Sequence, residues 1–221
     1  MPKVFLGVGH GGKDPGAVGK VKEAEANLTI ALKVKEELER HGVTVKMSRM
    51  KDEDDPLADV IKEATAFKPD IALDVHNNAG GGDGFEVFVQ TNSYAAKSKA
   101  IATAVEKQVK AIGQGSRGIK TKKNSSGADY FGFLRQLPCP AVILEGFFVD
   151  SNDALAFDTV DEQQALGAAY AKGILEYFNV KYSGNASLYR VQVGAFANKA
   201  SAEALKNELN SKGYPAFVTS K

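Results

Sequence analysis

His10, His76 and Glu145 are the residues of this chain best placed to do chemistry. Each closes an apolar run: residues 4–8 lead into Gly9-His10, 71–75 into His76, and 141–144 into Glu145. Such runs read as buried strands, and in an open α/β sheet sites are built at the carboxyl ends of strands. The chain has three histidines, and two of them sit at such ends. Imidazoles and a carboxylate converging on one strand-end cleft point to a zinc site with one open coordination position. A carboxylate ending an apolar strand is costly unless it has a partner or a purpose, so Glu145 reads as functional. His41 is different: it precedes Gly42 at a helix stop and reads as a C-terminal helix cation.

Those ends need a scaffold, and the bulk composition supplies one. The 221 residues can bury one sizeable core and a small second module. Lys and Arg number 28 against 27 Asp and Glu, which argues against a nucleic-acid binder held by bulk electrostatics. The single cysteine, Cys139, cannot form an internal disulfide and does not decide the compartment. No basic region followed by an apolar stretch marks a signal peptide, and no apolar run approaches a membrane span.

Periodicity and punctuation lay out the elements. Helices are expected at about 23–41, 57–67, 94–112 and 161–178, and strands at 4–8, 43–47, 71–76, 85–90 and 141–144. Residues 113–129 form a long polar stretch rich in Gly, Ser and Lys, the kind of segment that serves as a lid or binding loop. Strands alternating with helices imply an α/β fold: an open, twisted, mostly parallel sheet with helices on both faces. Composition changes at 181–187, which reads as a linker. Beyond it lies a small C-terminal βαβ-like unit, with strands at 189–193 and 216–219 around a helix at 201–212. Thirty-odd residues are too few to bury a good core. The unit must therefore pack on the first domain, pair with a copy of itself, or be weakly stable.

The motifs resemble those of zinc-dependent N-acetylmuramoyl-L-alanine amidases of the amidase-3 type. They occur in family order: Gly9-His10-Gly11-Gly12-Lys13-Asp14-Pro15-Gly16-Ala17, Lys22-Glu23, His76-Asn77-Asn78-Ala79, and Pro140 to Glu145. The Glu145-Gly146-Phe147-Phe148 variant is most similar to clostridial-type endolysins and autolysins. The likeness covers about residues 1–180, expected to be the catalytic domain. Residues 188–221 resemble one half-length repeat of the SPOR wall-binding module, through Tyr189-Arg190-Val191-Gln192-Val193-Gly194-Ala195-Phe196.

The resemblance implies that His10, Glu23 and His76 bind one Zn2+ per chain and that Glu145 is the general base, taking a proton from water activated by the metal. Neutral imidazoles with one carboxylate leave the metal net positive, which lowers the pKa of bound water toward about 7. The bond cut would be the amide between the lactyl group of N-acetylmuramic acid and L-alanine of the stem peptide. By residue type alone, Glu23 and Glu25 both suit the first turn of a helix; the Lys22-Glu23 match selects Glu23. Lys13, Asp14, Asn78 and Arg135 are candidate substrate contacts, and Gln192 a candidate glycan contact. Asp74 either orients an imidazole or faces solvent, and Glu86 reads as structural or as an outer partner of the site. Two family features are missing: Gly7-Val8 stands where Asp-Pro is usual, and the second helix lacks the usual arginine followed by Ala-Asn.

The expected partner is peptidoglycan, with no nucleic acid and no membrane. A lone SPOR-like unit leaves a sheet edge open, so a homodimer through 188–221 is expected. The chain is expected to be made in the cytoplasm and to reach the wall after holin-assisted release or mother-cell lysis. Two other readings share these residues: a zinc peptidase cutting within the stem peptide, and a non-catalytic wall-binding protein.

Overall fold

The computed structural model describes residues 1–184, 193–212 and 218. The strands are β1 (Lys3–Val8), β2 (Thr44–Met47), β3 (Ile71–Asn78), β4 (Phe85–Val89), β5 (Ser116–Lys120) and β6 (Ala141–Phe148). They form one sheet in the order β2-β1-β3-β6-β4-β5. The helices are α1 (Glu23–Arg40), α2 (Leu57–Phe67), α3 (Ala95–Ala111), α4 (Gly132–Gln136), α5 (Val160–Tyr177) and α6 (Lys199–Ser211). A 3-10 helix, Asn152–Ala156, follows β6.

The sheet is mixed. β2, β1, β3 and β6 run parallel, and β5 is parallel to β4, but β4 is antiparallel to β6. The reversal has a local cause. The link from β3 to β4 is the short Gly-rich segment 79–84, whereas a parallel return needs a crossover of roughly a dozen residues or more. β5 lies inside the stretch expected to be structureless. Its single large apolar residue, Ile119, gives too little alternation to show a strand at the sheet edge.

Both faces are covered because the central strands carry apolar residues in both alternating sets. Val4, Leu6 and Val8 of β1 pack with Leu73, Leu144, Ile30, Val105 and Ile174 against α1, α3 and α5. Phe5, Ala72 and Ile143 face the other way, against Val60 and Ala64 of α2 and Phe133 and Leu134 of α4. Each fully buried Val, Leu or Phe contributes about 1.5–3 kcal/mol, so the thicker α1/α3/α5 side carries most of the stability. α5 starts on a capping box, in which the Thr159 hydroxyl accepts from Glu162 N–H and the Glu162 carboxylate accepts from Thr159. α1 has no such side-chain cap, and its first-turn carboxylate, Glu23, turns toward the site instead.

The chain divides into two units, Met1–Tyr182 and Ser183–Lys221. In the second, α6 is capped by Asn198, whose Oδ1 accepts from Ala200 N–H at 2.7 Å, and it buries no side chain among the described residues. Gln192 and most of both expected C-terminal strands lie outside the described residues. No helix among the described residues is long and apolar enough to cross a membrane.

Candidate metal centre

The loop after β1 brings His10 to the sheet edge. Gly9 N–H bonds Val75 O at 3.0 Å, which extends the strand and lays the loop over His76. A Cβ on Gly9 would stand 2.2 Å from the His76 ring, so only glycine fits there. His10 has φ of 62°, a region that costs a non-glycine residue on the order of 1 kcal/mol and that clusters at functional sites. Gly16, at φ of 65°, lets the loop turn back; a Cβ there would come 2.7 Å from both Glu23 Oε2 and His10 Cδ2.

A buried arginine clamps this loop from below. Arg49 donates from Nε to Val8 O at 3.1 Å, from Nη2 to Gly9 O at 3.1 Å and Ala24 O at 2.8 Å, and from Nη1 to Lys51 O at 3.1 Å. Burial pulls its pKa below the usual arginine value, while Asp55, Asp52 and Glu53 oppose that shift. Neither residue type nor periodicity marks Arg49 as buried. Its only signal is position: a lone arginine just past the end of β2, ahead of the acidic loop 52–55.

His10, Glu23 and His76 converge. One ligand atom from each lies within 4.8 Å of the others, and no other His/Cys/Asp/Glu group among the described residues does this. His10 Nε2 and His76 Nδ1 both stand 3.2 Å from Glu23 Oε1. Metal–ligand bonds of about 2.0–2.1 Å in a tetrahedron imply ligand separations of about 3.3 Å, so these residues fit zinc. Glu23 Oε2 accepts from Ala17 N–H at 2.9 Å, and Asn77 N–H approaches Oε1 at 3.2 Å. Burial alone would raise the Glu23 carboxyl; hydrogen bonds from His10 and His76 reverse this and hold it far below the carboxylate range. Glu25 instead pairs with Lys22 at 2.9 Å, at the exposed side of α1.

Carboxylates fix both rings. Asp14 Oδ2 accepts from His10 Nδ1 at 2.8 Å, which leaves Nε2 toward Glu23. Asp74 Oδ2 stands 3.5 Å from His76 Nε2, which leaves Nδ1 toward Glu23. Such partners set the tautomer and raise ligand basicity. The hydrogen bond to Glu23 raises the His10 pKa. Burial opposes the charge on His76, but Asp74 and Glu23 overcome it and lift the ring well above its ordinary value. Behind the rings, Asn77 Nδ2 donates to Asn27 Oδ1 at 2.7 Å and Asn27 Nδ2 to Gly9 O at 3.0 Å. Two buried amides therefore tie β3, α1 and the His10 loop together.

Glu145 lies on β6 directly beside His76 in the parallel register. Burial pushes its carboxyl up to about 7, and the charge on His76 only partly offsets this. A carboxyl near neutrality suits a group that must accept and return a proton.

His10, Asp74, His76 and Glu145 line a cleft of about 640 Å³, walled by Pro56, Leu57, Val60, Phe131, Phe133 and Ile143. Lys13, Asp14, Asp54 and Asp55 stand at its polar side. Lys13 is almost fully exposed, 3.9 Å from Asp54. Asn78 and Arg135 are not among the lining residues. Asn78 Oδ1 accepts from Ala79 N–H, and Arg135 Nη1 donates to Asp129 O and Tyr130 O, both at 2.7 Å. Arg135 thereby anchors the loop that carries Phe131 into the cleft.

A family model described as N-acetylmuramoyl-L-alanine amidase matches residues 4–176. A second, for the SPOR domain, matches residues 155–221, overlapping the first. The sporulation-specific N-acetylmuramoyl-L-alanine amidase of Bacillus subtilis is 34% identical over 99% of this chain and 84% of its own length. The endolysin of Bacillus phage SPP1 is 36% identical over 80% of this chain and 66% of its own length. The catalytic domain of CwlV, an N-acetylmuramoyl-L-alanine amidase from Bacillus (Paenibacillus) polymyxa, superposes with a TM-score of 0.73 at 31% identity, over 82% of this chain and 100% of that domain. With the model spanning most of its length and the strand-end histidines brought together in one cleft, the chain belongs to the N-acetylmuramoyl-L-alanine amidase family.

Proposed function

We propose that this amidase is zinc-dependent and cuts the amide between the lactyl group of N-acetylmuramic acid and L-alanine of the stem peptide. The observation that carries this reading is the convergence of His10, Glu23 and His76 with Glu145 beside His76. His10, Glu23 and His76 would hold the metal, with Asp14 and Asp74 orienting the two rings. When bound, zinc supplies Lewis acidity, polarising a carbonyl and lowering the pKa of water toward about 7. Glu145 takes one proton from the attacking water. It returns that proton to the amide nitrogen as the C–N bond breaks, which leaves a lactyl carboxylic acid and a free alanine amine. Phe131, Phe133 and Ile143 exclude water from one wall of the cleft, which strengthens every charge interaction inside.

Digestion of purified peptidoglycan tests the reading. The expected products are glycan freed of peptide and a new N-terminal alanine, with activity lost to a chelator and restored by zinc. Full activity in metal-free protein, or a new N-terminus other than alanine, overturns it; the latter outcome favours cleavage within the stem peptide.

The C-terminal unit is proposed to bind wall glycan, with Gln192 in its surface, and to pair with the same unit of a second chain. The SPOR match supports the wall binding, and α6, which buries no side chain among the described residues, leaves a face free for the pairing. Light scattering should give twice the monomer mass for the full chain and the monomer mass for a chain ending at Val180. A monomeric full chain sinks the pairing.

A further inference from the structure

Glu86 on β4 faces Glu145 directly across the antiparallel pair, and it is buried. Like charges opposed in this way, with Cβ atoms about 4.5–5.5 Å apart, repel. Two cations from β5 answer them. Arg117 Nε donates to Glu86 Oε1, and Lys120 Nζ stands 2.8 Å from the same oxygen. Burial alone would raise the Glu86 carboxyl, but Lys120 and Arg117 outweigh it and keep the group ionised. Glu86 thus meets two cations at one oxygen, and both are held in place beside the Glu86–Glu145 pair.

Both cations are also presented to solvent. Arg117 is held by Glu86 and also lies over the Phe148 ring, 5.3 Å from its centroid. Its side chain is still 45% exposed, and that of Lys120 is 34% exposed. A planar guanidinium, oriented on two sides and open on a third, matches a carboxylate through paired N–H donors. Arg117 and Lys120 lie outside the residues that line the cleft, on the side of Glu145 away from β3.

We propose that Arg117 and Lys120 form a subsite that binds a carboxylate of the stem peptide; this rests on the amidase reading above. β5 lies two strand spacings, roughly 10 Å, from β6, a span covered by about three extended residues. The subsite therefore reads an acidic residue within the first three of the stem peptide.

The test compares an N-acetylmuramoyl tripeptide bearing an acidic second residue with the same compound in which that carboxylate is a carboxamide. Full-length protein should favour the acid on the order of 10-fold in kcat/KM, mostly through KM, the low end expected for a hydrogen bond to a charged group. Added salt should shrink the preference. Arg117→Gln and Lys120→Gln should each reduce it toward unity, and Arg117→Lys should restore only part, because it lacks the planar fork. Dissociation constants of both compounds for Glu145→Gln protein give the same ratio without turnover. Equal constants for acid and amide, or a preference that survives both substitutions, overturn the subsite. If neither compound yields an N-terminal alanine while the Glu145→Gln protein still separates them, the amidase reading fails and the subsite stands.

Discussion

Glu145→Gln is expected to keep its metal and lose turnover by about 100- to 10,000-fold, the range of a general-base contribution. Metal content by atomic emission and kcat on one wall substrate check this together. Loss of metal would make Glu145 a ligand and overturn its assignment. The pH dependence follows from burial, which lifts this carboxyl from 4.5 to about 7. The base form is lost as pH falls, so the acidic limb of kcat/KM should lie at or below about 7 and vanish in the variant. A bound cation favours the carboxylate and moves that limb lower. Stability has the opposite sign. The folded protein holds the Glu145 proton more tightly than the unfolded chain, so ionising it costs free energy above the unfolded value of 4.5, and this cost is complete above about 7. Metal-free Glu145→Gln should thus be more stable than the parent at pH 8, by at most about 3 kcal/mol, and equal to it near pH 4. Equal stability at both pH values would show that Glu145 is not desolvated.

His76→Ala and His10→Ala should abolish tight zinc binding and, with it, activity. Removing an outer partner of a metal ligand weakens binding roughly 10- to 100-fold, and losing a ligand should exceed that. Glu23→Gln should behave like the histidine variants, whereas Glu25→Gln should leave affinity unchanged, because Glu25 pairs with Lys22 away from the triad. If Glu25→Gln lost metal and Glu23→Gln did not, the two roles would be exchanged. Asp14→Asn and Asp74→Asn should fall in the 10- to 100-fold range, since each holds one ring nitrogen. Zinc affinity should also drop as pH is lowered. Both rings have raised pKa values in the metal-free protein, His10 through Glu23 and His76 through Asp74 and Glu23 against its burial. Protons therefore compete with metal for the same nitrogens. Competition titrations with a chromophoric chelator from pH 6 to pH 8 read this directly; a flat profile would remove the histidines as ligands.

Local signals in the sequence determined much of this protein. The apolar runs ending at His10, His76 and Glu145 are strands β1, β3 and β6, because residues buried on both faces of a sheet need no polar alternation. Helices α1, α2, α3 and α5 begin and end within a residue or two of where periodicity and Gly42 or Pro69 place them. Residue types and strand ends pointed to His10, His76 and Glu145, and the family resemblance added Glu23 over Glu25 as an expected ligand. Tertiary structure alone decided the rest. The place of β4 in the sheet depends on β6 inserting between β3 and β4, a pairing between segments distant in the chain. β5 has almost no apolar pattern and exists through its ladder with β4. The burial of Arg49, the hold of Asp14 and Asp74 on the two rings, and the Asn27–Asn77 bond all join residues whose types are common at surfaces. Nothing in a polar residue's neighbours along the chain says which buried carbonyl or ring it will meet; only the packing of β1, β3 and α1 makes that choice.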